Sequence, residues 1–145
     1  YNRTGSRSPM QWDDSTNAGF SSAPASDLYI AMDPDKDRPT AKKEMAAPDS
    51  LYHEVKKLIR IRQSHKALQS RGKITFVYAE KNAYPLAYIR EDGDEKILVI
   101  INAAAEAKTF ACDAEPKEAI YNFGAAAEAK NGKITVPAQS AGDSG

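Results

Sequence analysis

Residues 7–20 read Arg-Ser-Pro-Met-Gln-Trp-Asp-Asp-Ser-Thr-Asn-Ala-Gly-Phe and hold the groups in this chain best suited to chemistry. One guanidinium, the only tryptophan and two adjacent carboxylates share a stretch with neither a helical nor a strand period. That composition predicts a rigid loop bearing functional groups, because binding residues concentrate on loops fixed by a scaffold. Pro9 fixes its own φ and pushes Ser8 toward an extended conformation. Asn17-Ala18-Gly19 supplies the chemistry of a chain reversal. Trp12 offers a flat apolar face with one N–H donor, suited either to covering a sugar or to capping a core.

The other reactive side chains read more plainly. Asp13 and Asp14 are neighbours on an extended loop, so they point apart and cannot bracket one bond; the expectation is bracing or solvation. His53 and His65 stand at the two ends of one segment with no cysteine or carboxylate at ligand spacing, so no metal site is expected. Cys112 is the only cysteine, which excludes an intrachain disulfide, and it reads as a small buried hydrophobe. Tyr84, Tyr88 and Tyr121 suit core or cross-strand pairing, with an aromatic platform for polysaccharide as the alternative. There is no phosphate-binding glycine loop and no nucleophile elbow, and Gly142-Asp143-Ser144-Gly145 has no implied histidine partner.

Twenty basic and twenty acidic side chains cancel and are well mixed, so no field points to nucleic acid or an anionic membrane. The longest apolar run, residues 97–101, is strand-sized rather than membrane-spanning.

The elements that must position the loop follow from periodicity. Residues 1–47 lack an apolar period and read as loop, with Asp33-Pro34-Asp35-Lys36-Asp37-Arg38-Pro39 its most polar part. A helix is predicted over 49–65, capped by Asp49 or Ser50, with Leu51, Val55, Leu58 and Ile59 on one stripe. From Lys73 the period becomes two. Strands are predicted at 74–78, 86–90, 96–101, 109–112, 119–122 and 133–136, with turns at 91–94 and at Asn131-Gly132. The unbroken run 97–101 predicts a strand covered on both faces. Ala-Ala-Ala-Glu-Ala-Lys occurs at 103–108 and 125–130; by propensity it forms helix, yet strands bracket both copies. Residues 139–145 carry no apolar closing strand.

Residues 7–20, with Pro48-Asp49-Ser50-Leu51, the helix after them and Tyr84-Pro85-Leu86-Ala87-Tyr88, resemble glycoside hydrolase family 13, the α-amylase family. The likeness is best to its α-glucosidase, oligo-1,6-glucosidase and trehalose-synthase-like branches. It implies a mainly β chain: an antiparallel β-sandwich at 73–145, preceded by a barrel-end loop segment at 1–47 and the last helix and linker of a (β/α)8 barrel at 48–72. It also implies a C-terminal fragment of a retaining enzyme acting on α-linked gluco-oligosaccharides. Retaining glycosidases need two carboxyl groups flanking the scissile bond. In this family those come from earlier barrel strands, so the chain carries no catalytic residue and is expected to be inactive alone.

Arg7 is the one substrate-binding residue the resemblance implies, at the pocket for the non-reducing-end sugar. A planar guanidinium can pair with a carboxylate and still donate to hydroxyls. The alternative for Arg7 is a salt bridge that only braces the loop. No cofactor is implied, and the expected compartment is the cytoplasm. The expected partners are α-gluco-oligosaccharide through the parent enzyme, the missing barrel, and a second copy of the fragment. Alternative functions are a carbohydrate-binding accessory module, or part of a trehalose synthase or transglucosidase.

Overall fold

The computed structural model describes residues 4–144. The chain divides into two compact units, Tyr1–Ile59 and Arg60–Gly145, with the boundary inside the long helix.

In the first unit, three short 3-10 turns precede helix α1 (Ala41–Ala46) and helix α2 (Leu51–Ser64). Helix α1 falls inside a stretch expected to be loop. Six residues are too few to show an apolar period, but Thr40 caps it, its hydroxyl accepting the Lys43 amide at 3.2 Å. Helix α2 forms as expected. The Ser50 carbonyl accepts the amides of His53 and Glu54. The Ser50 hydroxyl donates to the Glu44 carbonyl, tying the start of α2 to α1. The apolar stripe of α2 stays open: Leu51 is 73% exposed, and Val55, Leu58 and Ile59 are about half exposed.

The second unit is a sandwich of eight antiparallel strands. They are β1 (Lys73–Tyr78), β2 (Leu86–Asp92), β3 (Glu95–Asn102), β4 (Lys108–Ala111), β5 (Ala119–Phe123), β6 (Glu128–Lys130), β7 (Lys133–Val136) and β8 (Ser140–Ser144). One sheet runs β1-β2-β3-β8-β5 and the other β4-β7-β6. Alternation places Ala87, Leu98 and Ile100 of the first sheet against Phe110, Ile134 and Val136 of the second, with Cys112 buried beside them. The Tyr78 and Phe110 rings meet at 5.6 Å between the layers. The cover over the run 97–101 holds for Ile97, Leu98 and Ile100, whereas Ile101 is partly open.

Two expectations change. Neither Ala-Ala-Ala-Glu-Ala-Lys copy is helical, because local hydrogen bonds and turns override propensity. The buried Asn102 accepts the Ala104 amide and donates to the carbonyls of Glu106, Val136 and Pro137, folding the first copy into a turn that leads to β4. The second copy follows Gly124 (φ +75°) and ends as β6, paired to β7 through the left-handed Asn131-Gly132 turn. The closing strand, expected to be missing, is β8, and it lies between β3 and β5. It carries no apolar pattern because the site demands small residues. A Cβ on Gly142 would lie 2.9 Å from Asn122 Oδ1 and 3.1 Å from the Tyr121 carbonyl.

The connector between α2 and β1 is folded tightly on the β2–β3 hairpin. The Glu95 carboxylate accepts His65 Nδ1 at 2.6 Å and the Ala67 amide at 2.8 Å. Arg90 Nη2 donates to the carbonyls of Gln69 and Gly72. Ala67 is fully buried in a 3-10 turn that lies against β2 and β3.

Candidate functional site

The loop 7–20 is held from within. The amides of Trp12 and Asp13 both donate to the Ala18 carbonyl, at 2.9 and 3.2 Å, closing a tight reversal. Asn17, Ala18 and Gly19 all sit in the left-handed region, at φ 50°, 53° and 72°. Only glycine takes that region without cost, so two non-glycine residues there mark a conformation the surroundings enforce. The enforcing contacts are visible: Asn17 Nδ2 donates to the carbonyls of Ser21 and Ala23 at 2.9 and 2.7 Å. Gly19 is required for space as well, since a Cβ there would lie 2.8 Å from Asp13 Oδ1.

The carboxylates brace the loop, as their adjacency predicts. Asp13 Oδ1 accepts both the hydroxyl and the amide of Ser15. The hydroxyl contact, then the amide, and more weakly the charge of Lys42 hold the Asp13 carboxyl below its ordinary value. Asp14 points elsewhere and pairs with Lys43 at 3.2 Å. The preceding strand of the loop is stitched to α1. The Gln11 and Trp12 carbonyls accept the amides of Ala41 and Lys42, and Gln11 Nε2 donates to the Pro39 carbonyl at 3.0 Å. Gln11 Oε1 is buried without a partner among the described residues.

Arg7 lies at the open end of this braced segment. It is exposed, and its guanidinium forms no hydrogen bond or ion pair among the described residues. The bracing alternative for Arg7 therefore has no partner in the described chain. Trp12 and Phe20 flank the reversal and are each about half exposed, so Phe20 does not reach the core its type suggested. A cavity of about 710 Å3 opens beside the loop in the same unit, walled by Pro9 and Met10 on one side and Leu51, Tyr52, Val55 and Ile59 on the other. Sequence reasoning missed this groove, because Pro39 and Thr40 close it through the unforeseen α1.

The remaining candidates do not assemble into a site. His53 Nε2 contacts the Met45 carbonyl at 3.0 Å, and His65 is committed to Glu95. Among the described residues no three histidine, cysteine or acidic side chains gather as a metal site. Cys112 is buried in the core, as its pattern predicts. The three tyrosines form no sugar platform. Tyr121 is buried, Tyr84 lies outside the strands, and Tyr88 meets Phe76 edge-on with ring planes 67° apart. No helix among the described residues is long and apolar enough to cross a membrane.

Comparison with known proteins agrees with the loop. The family model for the α-amylase catalytic domain matches residues 1–71. A glucan 1,6-α-glucosidase of Streptococcus pneumoniae is 30% identical over 93% of this chain, and an oligo-1,6-glucosidase of Parageobacillus thermoglucosidasius is 34% identical over 74%. The chain spans 24% of the first relative's length and 18% of the second's. Among solved structures, the trehalulose synthase MutB of Pseudomonas mesoacidophila MX-45 superposes with a TM-score of 0.81 at 29% identity, covering 98% of this chain and 25% of that one. One structure of MutB holds its substrate sucrose. A mainly antiparallel β chain, led by a loop that matches the catalytic-domain model and related along its length to these glucosidases, belongs to the α-amylase family.

Proposed function

We propose that this chain supplies the C-terminal part of a larger retaining α-glucosidase-type enzyme acting on short α-linked gluco-oligosaccharides. In this reading Arg7 binds a sugar and the chain's remaining work is structural. The observation that carries it is an unpartnered guanidinium at the end of a segment braced by Asp13, Asn17 and the stitching to α1. A side chain kept free on a rigid support is organised for a ligand rather than for the fold. Neutral hydroxyls and a carboxylate are what a guanidinium fork holds best at once.

The catalytic carboxyl pair then belongs to the rest of the enzyme. Asp13 is committed to Ser15 and Asp14 to Lys43, which leaves neither for a glycosidic bond. The partner barrel would cover apolar surface that the chain leaves open. Besides the α2 stripe, the outer face of the larger sheet presents Ile74 and Phe76 to solvent, in register with Arg90 and Tyr88. Such a face fits packing against another body better than sugar binding, because its aromatic pair is crossed rather than coplanar.

The test is an assay of the chain on maltose, isomaltose and a nitrophenyl α-glucoside, paired with a chimera. In the chimera the chain replaces the matching quarter of the glucan 1,6-α-glucosidase. The expected result is no turnover by the chain alone and isomaltose hydrolysis by the chimera. Turnover by the isolated chain, or a folded but inactive chimera, would overturn the proposal.

A further inference from the structure

The open stripe of α2 is a surface for a second copy of this chain. We propose that two copies pair antiparallel through this helix, an inference independent of the sugar reading.

Helix α2 is 14 residues long, roughly 21 Å at the standard rise, and so offers four turns of contact. Its residues Leu51, Val55 and Ile59 follow one another at i, i+4 and i+8 and are all exposed to solvent, with Tyr52 beside them. The same residues form one wall of the 710 Å3 groove, opposite Pro9 and Met10. The groove is wide enough to admit apolar side chains but leaves the helix itself uncovered.

Charge selects the occupant and its direction. Asp49 stands exposed just before the helix, and Arg62 stands exposed in its last turn. Aligning Val55 with Val55 of an antiparallel partner copy sets Leu51 against Ile59, and at each end brings Asp49 beside Arg62. Two-fold symmetry makes that pairing twice. The antiparallel direction also sets each positive helix end beside a negative one. A parallel pair would set Asp49 beside Asp49 and Arg62 beside Arg62, which repels. One helix thus carries both halves of a self-complementary surface: an apolar centre and opposite charges at its two ends.

Sedimentation velocity of the full chain from about 5 to 500 µM tests the pairing. The expected result is a concentration-dependent shift from monomer to dimer. Val55→Arg should abolish it while leaving the circular dichroism unchanged, because Val55 is already half open to solvent in the monomer. Asp49→Arg alone and Arg62→Asp alone should each weaken dimerisation about tenfold, since each turns two attractive pairs into repulsive ones. Mixing the two single variants should restore it, because a heterodimer regains both opposite-charge pairs. That rescue distinguishes the antiparallel register from unspecific apolar association. A chain that stays monomeric at about 500 µM overturns the proposal. So does a dimer indifferent to Val55→Arg, or a mixture as weak as its components.

Discussion

Replacing Glu95 tests what anchors the connector between α2 and the sandwich. In the native chain one carboxylate takes the Ala67 amide at 2.8 Å and His65 Nδ1 at 2.6 Å. Glu95→Ala removes both acceptors. Ala67 is fully buried, so its amide would lose its partner where water does not reach, at a cost of about 1–3 kcal/mol. The His65 contact is about one-third exposed at both partners, which limits it to roughly 0.2–1 kcal/mol. A loss of about 2–3 kcal/mol in the sandwich unit follows. For a unit of this size that lowers Tm by about 10–20 °C. Glu95→Gln keeps an acceptor for Ala67 and should lose about 1 kcal/mol.

The pH dependence separates this mechanism from general damage. The Ala67 amide first, then His65, hold the Glu95 carboxyl below its ordinary value in the folded chain. A depressed folded value contributes stability that is fully present above the unfolded pKa and is lost as pH falls through the folded one. The gap in unfolding free energy between the native chain and Glu95→Gln should therefore be constant at neutral pH. It should start to close below the unfolded value of about 4.5, narrowing as the folded carboxyl takes its proton. Urea unfolding followed by far-ultraviolet circular dichroism from pH 3 to 8 reads both quantities. A Glu95→Ala chain that melts within about 2 °C of native at neutral pH, or a gap that widens in acid, would refute the clamp.

Other substitutions probe the loop and the sheets. In the active chimera, Arg7→Ala should lower kcat/KM for isomaltose about 10- to 100-fold, the worth of a charge-assisted hydrogen bond, with an unchanged melting curve. An unchanged kcat/KM would remove Arg7 from the sugar. Gly142→Ala should cost about 1–3 kcal/mol in urea unfolding, because its new methyl meets the Tyr121 carbonyl and Asn122 Oδ1 in the middle of a sheet. Asn131→Ala should cost about 1 kcal/mol, since φ at that turn is +53° and alanine lacks the tolerance of asparagine there. A neutral result at residue 131 would mean that the β6–β7 turn is not left-handed in solution.

The readable parts of this fold are those where one physical requirement dominates. Ile74, Phe76 and Tyr78, and the run from Ile97 to Ile101, carry apolar alternation or continuity strong enough to name β1 and β3 directly. Asn131-Gly132 named its turn because few residue pairs accept two left-handed positions in succession. The missed elements answer to requirements that apolar patterning does not encode. In β8, Ser140-Ala141-Gly142 is chosen for closeness to Asn122 and Tyr121 rather than for apolar burial, so a search for an apolar strand passes over it. Helix α1 rests on the Thr40 cap and on its stitching to Gln11 and Trp12, contacts from residues nearly thirty positions away. The alanine-rich hexapeptides failed as helices for the same reason: Asn102 and the Gly124 and Asn131-Gly132 turns outweigh six residues of propensity.

The site divides along the same line. Its local half was legible: the proline, the Asn-Ala-Gly reversal and the bracing role of Asp13 all follow from residue chemistry over a few positions. What distinguishes Arg7 is a property that no local pattern expresses, namely that nothing in the described chain claims it. Every other charged side chain of the loop is spoken for, Asp13 by Ser15 and Asp14 by Lys43. If Arg7 served the loop, the nearest carboxylates to serve would be these two, and the geometry gives both to other partners. The loop holds its shape without the guanidinium, which is why Arg7→Ala should touch sugar recognition and leave the fold intact.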